Sequence, residues 1–323
     1  MSAPGQPGHR GPDAPARPPA VAGSFYPART AEVGALVDAL LEEAAARHPL
    51  PADLAGRPLA GVLVPHAGLV YSGLVAAAGW RALLGSHAML GSRDAASARP
   101  DVAPEPPPVV LLGTNHGAPC LDGVGAWDGG PWRTPLGEVE VDRELTAAVT
   151  GLGPPFVADA RCHLGEHSLE VQLPFLVRLA PGARIVALSV GAGTGTRAIE
   201  AGERLGRLLA ERRAAVAPVL LAISSDMAHY PSAGVAERVT AALLPHIEGL
   251  APAALAAAEA EVTWSERAVS CGMCGIEPTV LGLAALRALG ARPGVALAAA
   301  TSADAGGDPR RTVGYLAVGF AAP

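Results

Sequence analysis

The chain has 323 residues, 50% of them hydrophobic and 17% charged, a balance that excludes a disordered protein and leaves enough apolar side chains for a substantial core. Its 24 basic residues are all arginine and its net charge is −6, which excludes the basic face of a general nucleic-acid binder. Four cysteines are too few for a disulfide scaffold, and no run of about 20 apolar residues escapes charges or helix breakers, so the expectation is a cytoplasmic protein with no membrane span.

Residues 1–19 are rich in Pro, Gly and Arg, lack the apolar centre of a signal peptide and read as a flexible N-terminal tail, with the folded domain at 20–323. Thr30 to Arg47 predicts a helix, with Val33, Leu36, Val37, Leu40 and Leu41 at helical spacing. The apolar run 61–64 stops at Pro65-His66, and 74–84 is again helical. Residues 86–108, dominated by Ala, Ser and Pro, read as a surface insertion. A second buried strand, 109–112, runs into Gly113-Thr114-Asn115-His116.

Val139 and Val141 alternate with charged residues, as in an exposed strand. A helix over 168–179 survives Pro174, 184–190 reads as a strand and 197–213 as a helix. A third buried strand, 219–223, ends at Ser224-Ser225-Asp226. Helices near 232–247 and 276–290 and strands at 295–301 and 312–320 complete the chain. Short apolar runs alternating with amphipathic helices predict an α/β protein: one domain, with a mixed, largely parallel sheet flanked by helices.

Three buried strands thus end in polar clusters that contain His66, His116, and Asp226 with His229. Ligands of open α/β sheets bind beyond the carboxyl ends of the strands, and imidazole is a common ligand of transition metals. Asp226 stands three residues before His229, where it can orient the imidazole, hold substrate or cap a helix. Cys271-Gly272-Met273-Cys274 is incomplete as a zinc site and too late in the chain for a thioredoxin-like motif. Cys274 precedes the helix near 276, whose N-terminus favours thiolate, so Cys274 is taken as a ligand and Cys271 as a small packing residue. Cys120 and Cys162 have no suggestive partners.

Trp, Tyr and Phe number four each, and half of them lie in polar or turn-rich motifs: Phe25, Tyr26, Tyr71, Trp127, Trp132 and Tyr230. Tyr26, Tyr71, Trp132 and Tyr230, with Asn115 and His167, are the candidate lining of a substrate pocket. Glu166-His167-Ser168-Leu169-Glu170 reads either as part of that site or as a charged helix start. The Gly-rich stretch 191–196 lacks the Gly-Lys ending of a phosphate loop, and the chain has no lysine, so no nucleotide cofactor is expected.

Six motifs, in order, resemble those of the Memo family, also called AmmeMemoRadiSam system protein B in bacteria and archaea. They are Val21-Ala22-Gly23-Ser24-Phe25-Tyr26-Pro27, Pro65-His66-Ala67-Gly68 with Tyr71-Ser72-Gly73, Gly113-Thr114-Asn115-His116, Glu166-His167-Ser168-Leu169-Glu170, Ser224-Ser225-Asp226 with His229, and Cys274-Gly275 with Pro278. The resemblance spans roughly residues 17 to 320 and extends to the fold of class III extradiol dioxygenases. It implies a metal site of His66, His116 and Cys274, with Asp226 and His229 beside it and His229 as acid–base histidine. Iron or copper is the implied ion, with zinc as the alternative, and the implied chemistry is redox or oxygen chemistry on a small aromatic substrate. Cysteine in the third position departs from the two-histidine, one-carboxylate set of the dioxygenases and moves preference towards softer ions. The alternatives are an interaction module with a vestigial metal site, which binds a peptide segment, or a zinc-dependent hydrolase. An AMMECR1-like protein and a radical SAM enzyme are the partners implied; nucleic acid and membrane are not.

Overall fold

In a computed structural model, residues 14–94, 105–117, 122–195 and 197–323 are described. Among the described residues, ten strands follow in chain order: β1 (Leu59–Val64), β2 (Val109–Thr114), β3 (Val124–Ala126), β4 (Trp132–Thr134), β5 (Gly137–Val139), β6 (Phe156–Ala158), β7 (Ile185–Val190), β8 (Leu220–Ser224), β9 (Gly294–Thr301) and β10 (Gly314–Ala321). The helices are α1 (Thr30–Arg47), α2 (Leu69–Asp94), α3 (Arg143–Gly151), α4 (Leu173–Leu179), α5 (Arg197–Ala215), α6 (Ala233–Glu248), α7 (Pro252–Ser265) and α8 (Ile276–Leu289).

Eight strands form one mixed sheet in the order β6-β3-β7-β2-β8-β1-β10-β9. Its centre, β7-β2-β8-β1, is parallel, and antiparallel pairs join it to β3 on one side and to β10 and β9 on the other. β4 and β5 form a separate hairpin. The central strands are apolar on both faces, as parallel strands covered by helices must be. Along β2, Val109 and Leu111 enter the core under α1, α2 and α4, while Val110 and Leu112 enter the core under α3, α5, α6 and α8. Gly202 and Gly206 put α5 against α8 so closely that a Cβ at either position would strike α8 backbone carbonyls. No helix among the described residues is long and apolar enough to cross a membrane.

The stretch expected to be a tail, 1–19, contains a buried anchor. Residues 1–13 lie outside the described set, but Arg17 is 1% exposed and pairs with the fully buried Glu170 at 2.6 Å. Much of the insertion expected at 86–108 also resolves differently, because α2 continues to Asp94 and β2 begins at Val109; residues 95–104 lie outside the described set. The helices α3 and α7 and the three-residue strands β3, β4 and β6 are additions to the predicted elements.

Candidate metal centre

β1, β2 and β8 lie side by side and end at the same edge, so the residues that follow them meet there. His66 comes two residues after β1, His116 two residues after β2 and Asp226 two residues after β8. Cys274 arrives from the other side, in the loop before α8. Its backbone N–H donates to Asp226 O at 3.3 Å, and its carbonyl accepts from Thr114 Oγ1 at 3.0 Å. Gly275 makes this approach possible: a Cβ there would lie 2.6 Å from the Ser225 side chain and 2.9 Å from Ser224 O. The Cys271 carbonyl accepts the His229 N–H at 3.2 Å, so the same loop also holds the histidine after β8.

One ligand atom from each of His66, His116 and Cys274 lies within 4.8 Å of the others. Two overlapping groups meet the same condition, His116 with Glu166 and His167, and Asp226 with His229 and Cys274. The Cys274 sulfur is 3.1 Å from His66 Nε2. His116 and His167 stack with ring centroids 4.4 Å apart, and Phe25 covers His167 at 4.6 Å. Among the described residues, His229 Nε2 is buried without a hydrogen-bond partner and lies 3.7 Å from Asp226 Oδ2.

Two carboxylates organise the cluster. Glu166 accepts the backbone N–H groups of His116, His167 and Ser168 at 2.6–2.8 Å, and its Oε1 lies 2.9 Å from His116 Nδ1. Burial pushes the Glu166 carboxyl up, but the His116 ring and these N–H donors outweigh it and hold the group well below the usual carboxylate range. An ionised carboxylate only accepts, so His116 Nδ1 donates to Glu166, as the outer ring nitrogen of a metal-binding histidine commonly does. Asp226 behaves alike: burial opposes its charge, while the His66 and His229 rings and the His66 N–H at 2.7 Å keep its affinity for a proton low.

Burial lowers the His66 ring to about 4, so it is neutral at pH 7. Burial and the Asp226 charge push the Cys274 thiol well above its ordinary value. Here the structure departs from the expectation that the helix N-terminus favours thiolate: α8 starts at Ile276, and desolvation outweighs its dipole. In the metal-free chain the site is therefore a neutral thiol beside neutral imidazole. This donor set of two imidazoles and a thiol, with an orphaned His229 nitrogen beside it, fits a soft or borderline transition-metal ion. Cys271 is half-buried, belongs to none of the ligand groups and has its thiol raised to about 11 by burial and Glu259.

The cluster floors an open cleft of about 580 Å³. Of the six residues expected to line a substrate pocket, His167, Tyr71 and Tyr230 border this cleft. Tyr26 does not: it is 3% exposed and its hydroxyl donates to Glu170 Oε1 at 2.7 Å. Trp132 is fully buried under Arg17, whose guanidinium lies 4.0 Å from the ring centroid. Asn115 donates its amide to Cys162 O and Ser189 Oγ, so it braces the end of β2 instead. Phe25, Tyr315 and Arg311 take part in the lining in their place. Phe25 was within reach of sequence reasoning, but it sits beside Tyr26 in a tight turn, and nothing in the sequence says which of the two faces the cleft. His163 is buried beside Trp127 and Trp132, and its Nε2 donates to Gly125 O at 3.0 Å.

Comparison with known proteins agrees with the motifs. The sequence profile of the Memo-like protein family matches residues 17–319. A MEMO1 family protein of Aeropyrum pernix is 38% identical over 310 residues, covering 94% of this chain and 98% of that protein. MEMO1 family proteins of Methanopyrus kandleri, MK0963, and of Aquifex aeolicus are 33% and 34% identical over the same shares of each chain, 94% and 98%. A crystal structure of an uncharacterized Escherichia coli K12 protein, JW3007, overlaps 81% of this chain and 99% of its own at 15% identity and a TM-score of 0.47, too loose a likeness to inform the chemistry. On the family match over nearly its whole length, the chain belongs to the Memo family.

Proposed function

We propose that the cleft holds one redox-active transition-metal ion, iron or copper, through His66, His116 and Cys274, and that the protein carries out redox or oxygen chemistry on a small aromatic molecule. The observation that supports this reading is the convergence of two imidazoles and a thiol within 4.8 Å at the sheet edge. When bound, the ion would supply Lewis acidity and electron transfer.

The chain's own residues do the rest. Glu166 orients His116, and the backbone contacts of Asp226 fix the turn that carries His66. Asp226 also stands 3.7 Å from His229 Nε2, close enough to stabilise that ring when it holds a proton. His229 then exchanges a proton with a substrate hydroxyl at Nε2, its unpartnered atom. Phe25, Tyr71 and Tyr230 offer flat apolar walls. Arg311, stacked 4.4 Å over the Tyr230 ring at the mouth, receives an anionic substituent and sets the orientation of the substrate.

Anaerobic loading with Fe(II) or Cu(I), followed by elemental analysis, tests the reading. Uptake of about one ion per chain, lost in His66→Ala and Cys274→Ala variants that remain folded, is the expected result. No uptake by the unaltered protein, or full uptake by both variants, would sink it.

A further inference from the structure

Trp80 on α2 is fully buried, and its indole N–H donates to Gln172 Oε1 at 2.7 Å. An indole nitrogen can only donate, so this bond decides which end of the Gln172 amide is which. The Nε2 end then faces Pro65 O at 2.9 Å and Ser224 Oγ at 3.0 Å, and both of its hydrogens are used. Ser224 Oγ is also 2.7 Å from Ser168 O. Two oxygens that close need a hydrogen between them, and a carbonyl has none, so the serine's one hydrogen points at Ser168.

The Ser224 oxygen has two lone pairs. One accepts from Gln172, and the other faces His66 Nδ1 at 3.0 Å. With no hydrogen left to give, Ser224 can only accept from the ring. Nδ1 must therefore carry the imidazole hydrogen, which leaves Nε2 bare and 3.1 Å from Cys274 Sγ. Trp80, Gln172, Ser224, Ser168 and His66 are each no more than 1% exposed, so bulk water does not substitute for any of them.

We propose that Trp80, Gln172 and Ser224 form a buried polarity relay that locks His66 in its Nδ1–H tautomer and aims Nε2 at Cys274. They are positioning residues: none needs to touch an ion or substrate. Each passes on a donor–acceptor direction that begins at an indole unable to reverse it. The other tautomer would point an N–H into the site and bar His66 from ligation. The relay is a property of the metal-free chain and does not depend on which ion, if any, binds.

Histidine-selective 15N NMR on the metal-free protein reads the tautomer directly, with the His66 signals assigned by their loss in His66→Gln. The expected spectrum has hydrogen on Nδ1 and a bare Nε2. Ser224→Ala is expected to admit the Nε2–H form, and Ser224→Thr, which keeps the hydroxyl, to restore the original pattern. Co(II) binding is expected to weaken about 10–100-fold in Ser224→Ala, with the thiolate absorption of Cys274 retained. An Nε2–H ring in the unaltered protein overturns the relay even if no variant folds. A folded Ser224→Ala protein with unchanged tautomer and unchanged Co(II) affinity overturns it equally.

Discussion

His66 and His116 stand with ring centroids 5.3 Å apart and present equivalent nitrogens to one site, yet they are held by opposite means. His66 is 1% exposed and meets a neutral hydroxyl at Nδ1. The His116 side chain is 33% exposed and meets a buried carboxylate. A neutral relay fixes direction without adding charge, whereas a carboxylate places a full negative charge beside its ring. The buried histidine thus depends on hydrogen-bond polarity and the exposed one on electrostatics, and substitutions can separate the two.

The largest effect is expected from Arg17, which acts on the His116 side alone. Its guanidinium pairs with Glu170 and donates to Glu166 O at 2.6 Å and His163 O at 2.9 Å. Arg17→Ala leaves the Glu170 charge buried and is expected to cost about 3–5 kcal/mol in urea unfolding. In partly destabilised protein, His116 NMR signals should shift while those of His66 stay. Equal disturbance of both rings would erase the contrast.

Glu166→Gln comes next. It removes the charge beside His116 and disturbs three backbone donors, with an expected cost of about 1–3 kcal/mol. Co(II) affinity, followed by titration calorimetry, should fall about 10–100-fold, while the His66 tautomer stays as it is.

Acid separates the buried imidazoles from the buried carboxylate. His66 and His163 are lowered to about 4 by burial, so the unfolded chain binds their protons first. Their contribution is complete above about pH 6.5 and falls away between there and pH 4, by roughly 3 kcal/mol each. Glu166 is depressed, so its contribution is complete above the unfolded value near about 4.3 and is lost only as pH falls further. Urea midpoints of the metal-free protein should therefore drop in two stages, and Glu166→Gln should flatten only the second. A midpoint constant from pH 7 to 4.5 would contradict this assignment.

The smallest effect concerns the mouth, where neither histidine is touched. Tyr230 has φ 70°, a left-handed conformation that favours glycine. Tyr230→Gly is expected to change stability by no more than about 1 kcal/mol, the relieved strain offsetting the lost stack on Arg311. Binding of an aromatic carboxylate, read by fluorescence, should weaken all the same.

Much of this architecture is written locally in the sequence. The runs ending at Val64, Leu112 and Ile223 are continuously apolar because helices cover both faces, and the polar residues after them mark the sheet edge without any knowledge of topology. α7 gave no such signal: its sequence, PAALAAAEAEVTWS, is alanine-rich on all sides and shows no stripe. β3 and β6 are three residues long, too short for a period to register. Arg17 lies in a Pro-rich stretch that resembles a tail, and its burial depends on Glu170, 153 positions away. Trp132 and Tyr26 lie in turn-rich motifs but fill the core around that ion pair, which is why rarity of aromatics marked the pocket only in part. The relay behind His66 joins residues 80, 172 and 224 across three elements, and only their placement shows the direction of its hydrogen bonds.

The central claim is that the ion's ligands include the Cys274 sulfur as well as the two imidazoles. X-ray absorption at the metal edge of anaerobically Fe(II)-loaded protein tests it most directly. The expected shell contains one sulfur scatterer, at longer distance than the nitrogen and oxygen ligands beside it, with the sulfur lost in Cys274→Ser. A shell of nitrogen and oxygen alone in the unaltered protein would contradict the account.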